Sequence, residues 1–368
     1  MYAKLILFNM LTDLKRVVVT IVSIAGCCTL LVAGMTMKIA VQKSVKYQYS
    51  KIEIYQMKVM FDSAISENAE SDIGDIVKDS GVTYAAVLDE SLSYEANGAV
   101  RLAEVICGDL DQINEFFVRT DPKTKAVITD AGDGIWVHNK FASTNKVKVG
   151  DEVTIYDSNM NPHQVKICGI YRNYVGLYAF MSRETYEKVF GKEPVNNAYL
   201  VKSKGTDLTG LTDKVSKVNG FTKISDIGEL YDSIMAMTTP LNMISLILIG
   251  IAGLMALFIL LNLVNMYVNQ KRKELTIMRI NGFTVKETIR YVSLELIVST
   301  VLGILIGVGS GALLGCRILG LLEGANMYII KSVQIEAVLI AALITTVYSV
   351  LVSAWSLRKV KHLKLNEE

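Results

Sequence analysis

The chain has 368 residues, of which 51% are hydrophobic, with a mean hydropathy of +0.36 and a formal net charge of +2. Its apolar residues are concentrated in four runs of about 20 residues, a length that crosses a hydrocarbon core of about 30 Å: Val17–Met37, Met243–Leu263, Val292–Leu314 and Val333–Val352. This pattern excludes an ordinary soluble protein and predicts an α-helical integral membrane protein with four transmembrane helices.

The first 37 residues predict a surface helix followed by a membrane span. Residues 1–16 separate polar from apolar side chains in helical spacing, as in an amphipathic helix that lies in the cytoplasmic interface. A simple extension of the first span, residues 17–37, is the alternative. The apolar run is longer than that of a signal peptide and no small-residue cleavage site follows it, so we expect the helix to be retained.

Residues 38–237 separate the first two apolar runs. They carry 23 basic and 28 acidic residues, whereas basic residues are in excess in both terminal segments and in residues 270–291. Because basic residues stay on the cytoplasmic side, we predict cytoplasmic termini and a large extracellular α+β domain inserted between the first and second helices. The stretch after Met37 mixes charged and apolar residues, which predicts a stalk that leads from the membrane into this domain. Turn signals at Gly150-Asp151 and Asn161-Pro162 separate β-branched runs and predict a β-meander within it.

Three further spans are predicted in the last third of the chain. The second span begins at Pro240, a residue suited to the first turn of a helix. The predicted segments are span 240–268, a cytoplasmic elbow at 269–291, span 292–316, an outer loop at 317–332, span 333–356 and a cytoplasmic tail at 357–368.

Small residues recur at every fourth position of the third and fourth spans. This spacing lets helix backbones approach closely, and we predict that the two spans form a tightly packed pair. A water-lined pore is the alternative. The residues predicted to carry the packing are Gly303, Gly307, Gly311, Gly315, Ala341 and Ser349.

The elbow has the most definite local pattern. Six basic residues stand there against two acidic ones, Asn281-Gly282 can end the incoming helix, and Thr284–Glu287 is a capping box for the next. We predict a structured elbow that a cytoplasmic partner binds, with Ile280 and Phe283 entering an apolar groove. Charges that only enforce topology are the alternative.

Motifs of catalytic and metal sites are absent from the sequence, including GxxxxGK[ST], HExxH, paired CxxC and GxSxG. We therefore expect no enzyme, no bound metal and no cofactor in this chain. Glu295 lies about one turn inside the third span, where an acid is by default functional; an ion pair with Arg290 or Lys286 is the alternative. A disulfide between Cys107 and Cys168 stays open, because spacing alone does not decide it.

The stretch KRKELTIMRINGFTVKETIRYVSLE resembles the pattern of FtsX-like (MacB-type) permeases of ABC transporters. The matching residues are Arg272, Lys273, Glu274, Arg279, Asn281, Gly282 and Phe283, with Glu295 as the acid that opens the third span. The stretches FNMLTDLKRVVVTIVSIAGCCTLLVAG, VKVGDEVTIY, NYVGLYAFMSRETYEKVFG and SLRKVKHLKLNE resemble the second repeat of ten-span permeases of this type from Gram-positive bacteria. Those relatives have two repeats in one chain, so this sequence is either a stand-alone four-span protein or one half of a larger one.

The resemblance implies a bacterial plasma-membrane protein that pairs with a second permease subunit or repeat and with two ABC ATPase subunits. The ATPase would bind ATP and Mg, and the elbow would be its docking site. The expected function is export or extraction of an amphipathic substrate, such as a peptide, a drug or a lipid-linked molecule. A non-transporting mechanotransmitter that regulates a wall hydrolase or a sensor is the alternative, and a membrane-anchored receptor is a third possibility.

Overall fold

The computed structural model describes residues 14–96, 99–130, 132–203, 208–270, 284–323 and 327–361. These residues divide into two compact units. The helical unit comprises Met1–Val41, Thr238–Leu322 and Ile330–Glu368, and the inserted domain comprises Gln42–Met237 together with Glu323–Ile329. A short stretch between the last two long helices thus belongs to the inserted domain, far from it in sequence.

The described α-helices and strands alternate through the inserted domain. The helices are α1 (Leu14–Tyr47), α2 (Ala69–Asp79), α3 (Leu110–Ile113), α4 (Asn139–Asn145), α5 (Arg183–Phe190), α6 (Thr209–Val215), α7 (Ile227–Met237), α8 (Thr239–Gln270), α9 (Val285–Leu322) and α10 (Ile335–Lys361). The strands are β1 (Met57–Phe61), β2 (Thr83–Ala96), β3 (Ala99–Gly108), β4 (Ile135–His138), β5 (Glu152–Tyr156), β6 (Pro162–Tyr171), β7 (Tyr178–Ser182), β8 (Ala198–Lys202) and β9 (Phe221–Asp226).

Two described helices are long and apolar enough to cross a membrane, Val17–Ile52 and Ile297–Leu322. Ile227–Met237 and Asn242–Met255 meet the same condition only together, as a bent pair, and Ile335–Leu351 is a shorter apolar helix. The described residues therefore contain two spans, or three with the bent pair. The predicted number of four stays a prediction.

The strands form one nine-stranded sheet in the order β3-β7-β4-β6-β5-β2-β8-β1-β9, with an additional pairing of β3 with β2. This pairing closes six strands, from β3 to β2, into a barrel. The long strand β2 makes closure possible because its Ser93–Glu95 end pairs with β5 while its Thr83–Val87 end pairs with β8. Strands β8, β1 and β9 continue the sheet outside the barrel.

Three apolar clusters hold the inserted domain together. The first fills the barrel with inward side chains such as Leu92, Val105 and Ile167. The second packs Phe116, Phe117 and α3 on the outer face of the sheet, and the third packs α2 and α6 on β1 and β8. Burial on both faces explains why β1, β4 and β8 consist largely of buried residues.

Of the β-meander predicted from the turn signals, the structure contains one hairpin, formed by β5 and β6, because β6 pairs on its other side in parallel with β4. Strands β5 and β6 pair in antiparallel register from Glu152 opposite Lys166 to Tyr156 opposite Pro162. Asp157 closes the turn by accepting hydrogen bonds from the backbone amides of Asn159 and Asn161 at 2.9 and 2.8 Å. Short-range turn chemistry is enough to specify this unit.

Candidate functional site

The predicted elbow residues Arg272, Lys273, Glu274, Arg279, Ile280, Asn281, Gly282 and Phe283 lie outside the described residues. Of Glu295, the structure describes the backbone, which lies in α9. The docking role of the elbow and the role of Glu295 therefore stay predictions. Residues 1–13 of the predicted amphipathic helix and the last seven residues of the tail are also outside the description.

The glycine row of α9 lies against α1. The sequence predicted that α9 and α10 pack on each other, and these two helices are in contact, but the glycines of the row meet α1. A Cβ placed on Gly303 would come within 2.7 Å of the side chain of Ile24, and one on Gly307 within 2.5 Å of Cys28. One on Gly311 would come within 2.7 Å of the Val32 side chain. These distances are shorter than real Cβ contacts, so the two backbones approach closely only because the row has no side chains.

Polar contacts accompany this approach of the two helices. The hydroxyl groups of Thr29 and Ser310 are 2.6 Å apart, so that one donates to the other. Each also lies within hydrogen-bond distance of a carbonyl one turn earlier in its own helix, and the hydroxyl that accepts donates its own proton to that carbonyl. The two hydroxyls are thereby satisfied at the α1–α9 contact, as polar groups within a membrane bundle must be. A stripe of small residues and its hydroxyl pair thus fix α9 on α1.

The small residues of α10 are also buried. Ala337 and Ala341 are fully buried, and Thr345 and Ser349 nearly so. Ala341 belongs to the same apolar cluster as Cys28 and Val32 of α1. The row of α10 is therefore turned into the bundle, and α1 contributes to the packing of both rows.

A polar joint lies where α1 enters the inserted domain. Helix α1 continues without a break into a π-helical turn, Gln48–Ile52, whose residue Gln48 is fully buried. The Gln48 amide donates to Glu53 at 2.8 Å and to the Asn173 side chain at 2.7 Å, and its carbonyl accepts from the backbone amide of Tyr174 at 2.9 Å. A single side chain thus connects the end of α1 to the loop between β6 and β7.

The β6–β7 loop is held in turn by Asn173. Its side-chain amide donates to the carbonyl oxygens of Val175 and Gly176 at 2.9 and 3.1 Å, and its backbone amide donates to the Asn139 side chain at 3.1 Å. Asn173 is 2% exposed. A buried network in which the amide groups are satisfied fixes one arrangement of the backbone.

Glu53 is the charged member of the joint and is completely buried. Its carboxylate accepts from Gln48 and, at 3.1 Å, from the Tyr55 hydroxyl. Burial raises the pKa of Glu53 to about 7, against the two hydrogen bonds and the charge of Lys58, which lower it. The carboxyl group therefore changes its charge near neutral pH.

A second buried charged group links three strands of the inserted domain. Lys58 on β1 donates to Asp89 on β2 at 2.6 Å and to Glu104 on β3 at 2.8 Å. Burial raises the pKa of Asp89 to about 6 although the charge of Lys58 opposes the shift. The three side chains satisfy one another, and we interpret them as an internal tie between the barrel and the outer part of the sheet.

The remaining chemistry of the described residues is structural. Cys107 and Cys168 are free thiols, and burial raises their pKa values to about 12 and about 11. Among the described residues, no group of His, Cys, Asp and Glu has the arrangement of a metal site. The barrel encloses a cavity of about 20 Å³ lined by Tyr94, His138 and Phe141 among others, which has room for a single water molecule.

The joint was not predicted from the sequence, because no local motif indicates it. Gln48 and Asn173 are 125 positions apart and are ordinary polar residues in their own segments. The sequence signal that bears on the joint is the mixed composition of the stretch after Met37, which predicted a stalk without identifying its contacts.

Comparison with known protein families gave a match that lies mainly in the helical unit. Residues 246–365 match the family described as FtsX-like permease C-terminal. No match was found among curated proteins. Among solved structures, the periplasmic region of MacB from Actinobacillus actinomycetemcomitans aligns at 11% identity and a TM-score of 0.32, covering 52% of this chain and 97% of that one.

The extracellular domain of the noncanonic ABC-type transporter YknZ from Gram-positive bacteria aligns at 12% identity and a TM-score of 0.30, covering 47% of this chain and 99% of that one. The family match covers all of α9 and α10 and most of α8, together with the segment that joins α8 to α9. Residues 246–365 are thus similar to the C-terminal domain of FtsX-like permeases, and this similarity covers about a third of the chain.

Proposed function

We propose that the protein is the permease subunit of an ABC transporter, in which a separate ATPase drives movement of the inserted domain. The observation that carries this proposal is the family match over residues 246–365, which spans the predicted docking elbow and the helices on both sides of it. The proposed substrate is an amphipathic molecule, a peptide, a drug or a lipid-linked compound, that is exported or extracted from the outer face of the membrane.

The construction of the inserted domain supports transmission of movement. Helix α1 has 34 residues and continues directly into the buried Gln48 joint. A helix without a break that ends in satisfied buried hydrogen bonds moves as a rigid element. The barrel cavity, at about 20 Å³, is too small to enclose an amphipathic substrate. We therefore assign the barrel a mechanical role and place substrate contact elsewhere.

The proposed assembly contains two permease subunits or repeats and two ATPase subunits, with ATP and Mg bound by the ATPase. The elbow docks on the ATPase through Ile280 and Phe283, while Arg279 pairs with acidic groups around the groove. A small anchored interface of this kind depends on a few central residues. In this assembly the termini and the elbow are cytoplasmic and the inserted domain is extracellular, an orientation that the excess of basic residues in the former supports.

The docking proposal is tested with the full chain and a candidate ATPase. Phe283→Ala and Gly282→Pro should insert normally, yet lose co-purification or fail to stimulate ATP hydrolysis. Phe258→Ala is the matched control, because Phe258 is an exposed aromatic residue on α8. Full coupling in both elbow variants would place the contact elsewhere, for example on residues 1–16.

A second experiment separates transport from mechanotransmission. The permease and its ATPase are reconstituted in lipid nanodiscs, and ATP hydrolysis is measured with an amphipathic lipopeptide or with a soluble wall hydrolase. Transport predicts stimulation by the lipopeptide. Stimulation by the hydrolase alone, with activation of that hydrolase, would favour the mechanotransmitter.

A further inference from the structure

Four described residues between α9 and α10, Glu323 and Met327–Ile329, belong to the inserted domain and form a joining segment. Met327 forms an antiparallel bridge with Val175, and the backbone amide of Tyr328 donates to the Tyr174 carbonyl at 2.8 Å. The rings of Tyr174 and Tyr328 pack with centroids 6.0 Å apart. Ile329 is 1% exposed. Backbone pairing, aromatic packing and apolar burial therefore act at the same place.

Glu323 adds a charged contact at the start of this segment. Its side chain is 4% exposed and accepts from Lys140 on α4 at 3.1 Å and from the backbone amide of Ile329 at 3.1 Å. A buried carboxylate is costly when it loses its cation, so the segment cannot leave the inserted domain without a large penalty. Lys140 is itself only 17% exposed, which makes the pair different from a solvent-screened surface bridge.

The same loop holds this segment and the end of α1. Tyr174 offers its backbone amide to Gln48 and its carbonyl to Tyr328. Asn139, which accepts from the backbone amide of Asn173, is the chain neighbour of Lys140. Gln48 and Tyr328 thus bind the same residue, Tyr174. Lys140, the partner of Glu323, is likewise adjacent in sequence to a residue that holds the β6–β7 loop.

We infer that the joining segment stays attached to the inserted domain throughout the working cycle and acts as an attachment point in addition to α1 and α7. Glu323 directly follows Leu322, the last residue of α9, and α10 begins six residues after Ile329. Movement of α9 and α10 therefore reaches the inserted domain through non-covalent contacts as well as through the chain. The attachment itself is independent of the proposed function, but its role in a cycle rests on it.

The attachment is tested by a disulfide across the bridge in the full-length protein. A bridged antiparallel pair has Cα atoms about 4.5–5.5 Å apart, within the range that a disulfide accepts. In Val175→Cys/Met327→Cys, the engineered thiols fall on tryptic peptides 173–183 and 318–331, neither of which holds a native cysteine. Mass spectrometry of the linked peptides measures the bond. We expect rapid formation on mild oxidation, and absence of the bond would overturn the inference.

The ion pair is tested in the same double-cysteine background. Lys140→Met should slow the bond about tenfold, because Glu323 loses its buried partner, and Glu323→Gln should act in the same direction. Lys188→Met is the matched control: Lys188 pairs with Asp133 at 3.3 Å, but both side chains are more than half exposed. If Lys140→Met and Lys188→Met oxidise equally fast, the ion pair does not hold the segment.

The permanent character of the attachment is tested by ATP hydrolysis with the candidate ATPase. The oxidised protein should stimulate hydrolysis as well as its reduced form, because the segment never has to detach. Loss of stimulation on oxidation, restored by a reductant, would show that detachment belongs to the cycle and would overturn the inference. If neither form stimulates the ATPase, the proposed function fails, while the disulfide rates still decide whether the segment is attached.

Discussion

Glu53 should make the stability of the inserted domain fall as the pH rises through neutrality. Its carboxyl group has a pKa near 4.5 in the unfolded chain and of about 7 in the folded one. Because the folded pKa is the higher, the folded state binds the proton more tightly between these values. The stabilising effect is fully present below pH 4.5 and is lost as the pH rises through 7.

The magnitude follows from the two pKa values. At roughly 1.4 kcal/mol for each tenfold change in proton affinity, the move from 4.5 to about 7 corresponds to about 3 kcal/mol of unfolding free energy. Glu53→Gln removes this dependence, because a neutral amide can keep the hydrogen bond from Gln48 and donate to the Tyr55 hydroxyl. The variant should therefore gain about 3 kcal/mol on the parent between pH 4.5 and pH 8.

The assay is urea unfolding of the full chain in detergent, followed by tryptophan fluorescence. The chain has two tryptophans, and Trp355→Phe leaves Trp136, which is buried in the inserted domain beneath the Arg119 guanidinium. The unfolding free energy is measured against pH for the parent and for Glu53→Gln, and one curve is subtracted from the other. The contributions of other groups that titrate in both proteins then cancel. Glu67→Gln, at an exposed loop position, is the control and should give a flat difference.

A flat difference for Glu53→Gln would refute the reasoning. It would mean that the carboxylate reaches water or a cation in the folded protein, so that its charge costs nothing to bury. A difference of the opposite sign would mean that the ionised carboxylate contributes favourably to the joint through its hydrogen bonds and Lys58. Either result would be read directly from the subtracted curve.

Three further predictions concern packing and topology. Gly307→Leu should lower the yield of monodisperse protein in size-exclusion chromatography, because its side chain would enter α1, whereas Ile306→Leu, at a residue 55% exposed, should not. Gly169→Ala should lower the unfolding free energy by about 1–3 kcal/mol, since its Cβ would lie 2.1 Å from the Trp136 ring; Gly210→Ala, which meets no atom within 4 Å, should be neutral or slightly stabilising in a thermal melt. Val195→Cys, 60% exposed, should react with an impermeant maleimide in intact cells, and its protection would place the inserted domain inside.

The sequence predicted the features that depend on local pattern. Apolar runs located the long helices and Pro240 marked the first turn of α8. The turn residues around β5 and β6 predicted a β-meander, of which the structure contains the β5–β6 hairpin. Each of these depends on residues within one segment, where periodicity and turn chemistry act directly. The family match over residues 246–365 likewise coincides with the segment of strongest local pattern.

Features that depend on distant pairing were not predictable in the same way. Barrel closure requires β3 to lie parallel to β7 and β4 parallel to β6. The paired residues are 74 positions apart in the first case and 32–33 in the second, and no residue in those strands specifies the partner. The spacing of the glycine row predicted that a helix approaches closely, but spacing does not state which helix approaches. Both α1 and α10 carry small or short side chains, and only the three-dimensional arrangement distinguishes them.

Buried polar side chains give the joint a property that apolar packing alone would not. An apolar contact tolerates a shift of one helix past another because dispersion has little directionality. The Gln48 amide instead has its carbonyl and both N–H groups engaged at 2.7–2.9 Å, and a shift of α1 by a single residue would leave these groups unpaired in a buried site. The joint therefore fixes the register of the Gln48–Ile52 turn against the β6–β7 loop.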